Sequence, residues 1–189
     1  EGTGQPYVVE PAAGGLNGTI RIPGFTTMVV EPGAIIKMRA SNIDVGGSSD
    51  TVASAGAALQ LRGQPTVRPA IITSLKNDAV GGDTNRDATN SIPQAADWGG
   101  IVYRDGSDDN LSLINGSEIT YGGGPVPRAL GPRFDAIYLE SARPGITNNV
   151  IANNGVSALP RDAQAAISAN FNSFVVDTFD RTTTGQSSA

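Results

Sequence analysis

Asp83, Asn85 and Asp87 stand at alternate positions of the run Gly81-Gly82-Asp83-Thr84-Asn85-Arg86-Asp87-Ala88. Side-chain oxygens with this spacing in a tight loop can converge on one point, which is how a chain wraps a hard cation such as Ca2+. A complete EF-hand loop would place a bidentate Glu at its twelfth position, where this chain has Gln94. The missing carboxylate is expected from Asp78, before the motif, or from Asp97, after it. Asp83, Asn85, Asp87, Asp78 and Asp97 are therefore the candidate ligands, and Ca2+ the candidate cofactor. The competing reading is a solvated loop in which Asp and Asn only make turns.

Other chemistry is narrower. The chain has no His and no Cys, which removes Ser-His-Asp and Cys-His catalysis, disulfides and His-ligated zinc. Asp105, Asp108, Asp109, Glu118, Asp135 and Glu140 are carboxylates that could pair to cleave a glycosidic bond. Arg128, Arg133 and Arg143 could serve a polysaccharide lyase. None of these lies in a specific motif, and Asp105-Gly106-Ser107-Asp108-Asp109-Asn110 reads as a turn before Leu111. A role without catalysis is the expectation. Trp98, the only Trp, could offer a sugar-stacking face. Its place before Gly99-Gly100 favours a ring that caps the loop against close-packed backbone. Three sequons begin at Asn17, Asn110 and Asn115, and turn chemistry explains all three.

The elements that must hold these residues are short. Apolar segments recur at 18–22, 26–30, 34–38, 43–45, 57–61, 70–73, 99–103, 111–114, 118–121, 136–139, 145–152, 165–169 and 173–176. Gly, Pro, Asn or Asp separates most of them, as turns require. This spacing also suits a β-sandwich. Two features favour a parallel β-helix instead. Segments such as Ile20-Arg21-Ile22 and Leu59-Gln60-Leu61 offer one or two inward aliphatics and then bend. The stretch Ile146-Thr147-Asn148-Asn149-Val150-Ile151-Ala152-Asn153-Asn154 repeats Asn pairs that can stack at the bends of successive coils. Between the segments at 70–73 and 99–103 lies a polar insert, around residues 74–97, longer than a compact domain ordinarily tolerates without a function or a brace.

Composition agrees. With 24 Gly, 12 Pro and 16% charged residues among 189, the chain is poor in helix formers and long enough for one domain, 1–189. Hydrophobic content of 39% argues against disorder. A net charge of -5 and 13 scattered basic residues exclude a nucleic-acid surface. No apolar run approaches the ~20 residues of a membrane helix, so no membrane insertion is expected of this segment. The start at Glu1 suggests a mature piece of a longer chain, and residues 181–189 read as a loop or tail.

Val30-Glu31-Pro32-Gly33-Ala34-Ile35-Ile36-Lys37 resembles the "ve-PG-vvik" opening coil of right-handed parallel β-helices in large bacterial surface and secreted proteins. Ile72-Thr73-Ser74-Leu75, Gly81-Gly82-Asp83-Thr84-Asn85, Asp97-Trp98-Gly99-Gly100-Ile101 and Ile119-Thr120-Tyr121-Gly122-Gly123 are similar to that family's next motifs, in the same order. The likeness covers residues 29–176. It implies an all-β right-handed parallel β-helix from a very long exported protein, with a secreted or cell-surface, structural or adhesive role. Its partners would be neighbouring segments of the same or other surface proteins, or carbohydrate. The family loop reads D-T-N-G-D-G, and Ala88 here takes the place of the last Gly. A polysaccharide-cleaving enzyme and a phage-type fibre or spike are the alternatives.

Overall fold

The computed structural model describes residues 4–12, 18–47, 53–124, 135–155, 165–169 and 186–187. Its strands are β1 (Tyr7–Val9), β2 (Gly18–Ile22), β3 (Thr27–Val30), β4 (Ile35–Met38), β5 (Ser41–Val45), β6 (Ala58–Arg62), β7 (Ala70–Ser74), β8 (Ile101–Tyr103), β9 (Leu113–Asn115), β10 (Ser117–Thr120), β11 (Ile137–Leu139), β12 (Gly145–Thr147), β13 (Val150–Ala152), β14 (Ala165–Ala169) and β15 (Gln186–Ser187). No helix occurs among the described residues, and none is therefore long and apolar enough to cross a membrane.

Through β14, every third strand joins the same sheet. Sheet A runs β1-β4-β7-β10-β13, sheet B β15-β14-β11-β8-β5-β2, and sheet C β12-β9-β6-β3. The strand pairs are parallel. Three strands, one per sheet, make a coil, and coils stack along an axis. The chain is thus an all-β parallel solenoid, and the sandwich alternative falls because a sandwich pairs its strands antiparallel.

The segments bend where they do because each coil must deliver an aliphatic to each inner column. Ile36, Ile72, Ile119 and Ile151 stack in sheet A. Ile43, Ile101 and Ile137 stack in sheet B, and Val30, Leu61, Ile114 and Ile146 in sheet C. All are buried and belong to one core. Each full burial contributes about 1.5–3 kcal/mol relative to an exposed side chain, so the columns are the main cohesion of the stack.

The Asn pairs act at the corners, with a chemistry richer than a plain ladder. Asn148 Nδ2 donates to Asn115 Oδ1 at 2.9 Å, an amide-to-amide contact between coils. Asn149 instead grips backbone, its Nδ2 donating to Ile114 O while its Oδ1 accepts from Ser117 N, both at 2.8 Å. Asn154 does the same with Ile119 O and Gly122 N. The segment at 145–152 is consequently two strands, bent at Asn148, whose φ is 56°. Corners also stack closely: a Cβ on Gly63 would lie 1.8 Å from Gly116 O.

Two strands fall outside the expected segments. β1 was not foreseen, since Tyr7 and Val8 are exposed and give no inward signal. Gln186–Ser187, within the stretch expected to be loop or tail, pairs with β14. The segment at 173–176 lies outside the described residues.

Coil length varies as the polar insert predicts. Thr19 sits beside Asn42, 23 residues on, and Asn115 beside Thr147, 32 residues on. Thr73 sits beside Thr120, 47 residues on. The excess in that coil is the segment between β7 and β8, which carries the candidate ligands.

Candidate metal centre

The insert leaves β7 at Ser74 and lies over the outer face of sheet A. That face would ordinarily meet water, yet Lys37, Thr73 and Thr120, in register on adjacent strands, are buried. Thr73 and Thr120 share a hydrogen bond of 2.8 Å, and Asn77 Nδ2 donates to Thr73 Oγ1 at 2.9 Å. At one end the insert packs Gly81 against Pro6, where an added Cβ would lie 2.4 Å from Pro6 Cγ. At the other, Ala96 N donates to Gly122 O at 3.1 Å. The insert thereby straps the coils together across sheet A.

Trp98 ends the insert with its ring fully buried. Its Nε1 donates to Thr120 O at 2.8 Å, and the ring lies on Gly122, whose absent Cβ would sit 2.9 Å from Cζ2. The capping expectation fits. A sugar-stacking platform does not, because no face of the ring reaches solvent.

Asp78, Asp83 and Asp87 converge: one carboxylate oxygen from each lies within 4.8 Å of the others. Asp83 sets the turn, its Oδ1 accepting from Asp87 N at 3.2 Å and its Oδ2 from Ala88 N at 2.9 Å. Asn85 Nδ2 donates to Asp87 Oδ2 at 2.8 Å and to Ser91 Oγ at 3.0 Å. Ser91 Oγ also donates to Asp87 Oδ2. These bonds leave Asp78 Oδ1, Asn85 Oδ1 and Asp87 Oδ1 buried with no hydrogen-bond partner. Buried acceptors without donors are destabilising by about 1–3 kcal/mol each. All three are oxygens, the ligand atom hard cations take, and two of them belong to the convergent carboxylates. Asp78, Asp83 and Asp87 could therefore hold a metal ion.

Asp97 stands apart from this group. Its Oδ2 accepts from Ser74 Oγ at 2.7 Å and from Gln94 N at 2.9 Å, while its Oδ1 takes Lys76 Nζ at 2.7 Å. Both oxygens are committed to closing the base of the insert, where the outgoing and returning strands meet. Of the five candidate ligands the fold gathers the carboxylates of Asp78, Asp83 and Asp87, ties Asn85 to Asp87 through its amide nitrogen, and uses Asp97 as a clasp.

The loop backbone turns left-handed at two residues with side chains. Arg86 has φ 58° and Ala88 φ 60°, both in the left-handed region that glycine enters without strain. The loop makes its turns with side chains at both places, at some conformational cost.

One member of the site gave no signal in the sequence. Lys37, on β4, is fully buried beneath the insert, and its Nζ donates to Gly82 O at 2.5 Å. Burial lowers its pKa, and the charges of Asp78 and Asp83 oppose that shift. In the sequence it was one lysine in an Ile-Ile-Lys-Met strand, at a position that alternation turns outward.

The carboxylates considered for catalysis serve the backbone where their contacts are defined. Asp108 Oδ1 accepts from Asn110 N and Leu111 N, making the expected turn. Asp109 Oδ1 accepts from Arg143 N at 2.7 Å. Arg128 and Arg133, and the sequon at Asn17, lie outside the described residues.

Fold and site together define a parallel β-solenoid carrying an oxygen-rich loop across one face. In comparisons with known proteins, no family model, no curated protein and no solved structure matches the chain significantly.

Proposed function

We propose that this chain is a non-catalytic structural or adhesive module of a large exported bacterial protein, wound as a right-handed parallel β-helix and braced by Ca2+. The observation that carries the reading is the set of unpartnered buried oxygens on Asp78, Asn85 and Asp87, in an insert that straps the coils over sheet A. Right-handed winding is supported by the strong bias of strand–crossover–parallel strand connections. A Ca2+ bound by Asp78, Asp83, Asn85 and Asp87 would neutralise their crowded charge and fix the strap. A cell-surface or secreted setting suits a brace of this kind, since extracellular calcium sites work at ambient millimolar ion.

Neighbouring solenoid segments are the proposed partners. β1, β2 and β3 each lie at a sheet edge, and Val9, Ile20 and Met28 line a hollow of about 610 Å3 between them. Edges that pair with no further strand among the described residues, around an apolar hollow, suit a further coil stacked on this end. A second reading, a polysaccharide-cleaving enzyme, draws on one feature: a groove of about 520 Å3 over sheet C, lined by Arg62, Asp109 and Arg143. Its test is a screen for cleavage of acidic and neutral polysaccharides.

Thermal unfolding in EDTA, then with Ca2+ or Mg2+ restored, tests the structural reading. Ca2+ at ~100 times its dissociation constant adds about 2.7 kcal/mol, a rise of roughly 5–10 °C for a chain of this size. Asp83→Ala with Asp87→Ala should abolish the rise. Equal curves in EDTA and Ca2+ would leave a polar insert without a metal role.

A further inference from the structure

We propose that Lys37 is the protein's own cation beneath the calcium cage, holding the insert down when no metal is bound and weakening the cage's affinity for Ca2+. The proposal rests on the calcium reading above and assigns a regulator to that site.

Lys37 belongs to a different coil from the insert, and its side chain is fully buried although alternation points it away from the core. Its ammonium reaches the insert at Gly82 O, the carbonyl immediately before the first ligand, Asp83. The charged groups that act on it are Asp78 and Asp83, two of the three carboxylates of the cage. A buried ammonium is stable only with such compensation. The cage is thus partly neutralised from below. Three carboxylates and one ammonium leave two negative charges, which one divalent ion balances.

The same ammonium must repel an incoming metal. Like charges within several ångströms of each other, in a partly buried setting, change an affinity by about tenfold or more. A lysine with a purely structural role predicts the reverse, since losing it would loosen the loop and weaken binding. The sign of the change therefore separates the two accounts.

The test compares the wild type with Lys37→Met, which keeps the stem, and Lys37→Gln, which keeps a donor and removes the charge. Ca2+ is titrated calorimetrically, and unfolding is followed in EDTA. Both variants should bind Ca2+ ten- to a hundredfold tighter, within the range that groups behind the ligands typically command. Both should also melt earlier than the wild type in EDTA. If the wild type binds Ca2+ and folded variants bind no tighter, the role of Lys37 is overturned and the brace stands. If only the variants bind, the calcium brace of the wild type falls and the lysine's role stands. If none binds, both are overturned.

Discussion

Ala88 and Arg86 hold φ values of 60° and 58° in the middle of the oxygen-rich loop. A left-handed conformation costs an L-residue about 1–2 kcal/mol relative to its preferred regions. Both side chains are exposed, and the bond from Ala88 N to Asp83 Oδ2 is made by backbone that glycine retains. Ala88→Gly therefore removes strain and no defined side-chain contact. Against this stands the larger entropy of glycine in the unfolded chain, worth about 0.4–1 kcal/mol. The balance is a net stabilisation of about 0.5–1 kcal/mol, or some 1–4 °C in Tm for a chain of this length. Ala88→Val should move the other way, because a β-branched residue tolerates this region worst. The assay is thermal and urea unfolding of the three proteins in EDTA and in Ca2+. If glycine destabilises, or valine is neutral in both conditions, then the loop does not make its turn at residue 88 as described.

Arg104→Ala tests the buried pair on the outer face of sheet B. Arg104 Nε and Nη2 hold Asp44 at 2.7 and 2.6 Å, with Arg21 farther off at 3.7 Å. Its loss removes both short charge-assisted bonds from a buried carboxylate and leaves the more distant Arg21, so a destabilisation of about 2–4 kcal/mol is expected in urea unfolding. Arg104→Met with Asp44→Leu should recover much of it. Asn149→Ala removes two buried backbone contacts between coils and should destabilise by about 1–3 kcal/mol. An exposed asparagine such as Asn110, replaced by Ala, serves as the near-neutral control.

The strands were legible because each coil repeats a local requirement, an aliphatic aimed inward and then a bend. Ile36, Ile72, Ile119 and Ile151 announce themselves within their own segments. The same holds for Asp83, Asn85 and Asp87, whose spacing alone places them on one loop. Asp78 was legible as a nearby carboxylate and joins them. Asp97 was legible in the same way, yet the fold spends it on Ser74 and Lys76, at the far side of the insert's base. Sequence proximity cannot separate those two fates, since both depend on how the insert folds back. Lys37 was illegible for a related reason. What buries it is a segment some forty residues later, reaching across coils, and no pattern around β4 encodes that cover. The positive φ at Arg86 is not legible in the arginine itself, and only the glycine at that place in the similar D-T-N-G-D-G loop hints at it.

The structure of the protein grown with Ca2+ tests the central claim most directly. The account predicts one ion in the insert, with Asp78, Asp83, Asn85 and Asp87 supplying oxygens at about 2.3–2.6 Å. An ion bound elsewhere, or Asp78 Oδ1, Asn85 Oδ1 and Asp87 Oδ1 left without one at saturating Ca2+, would contradict it.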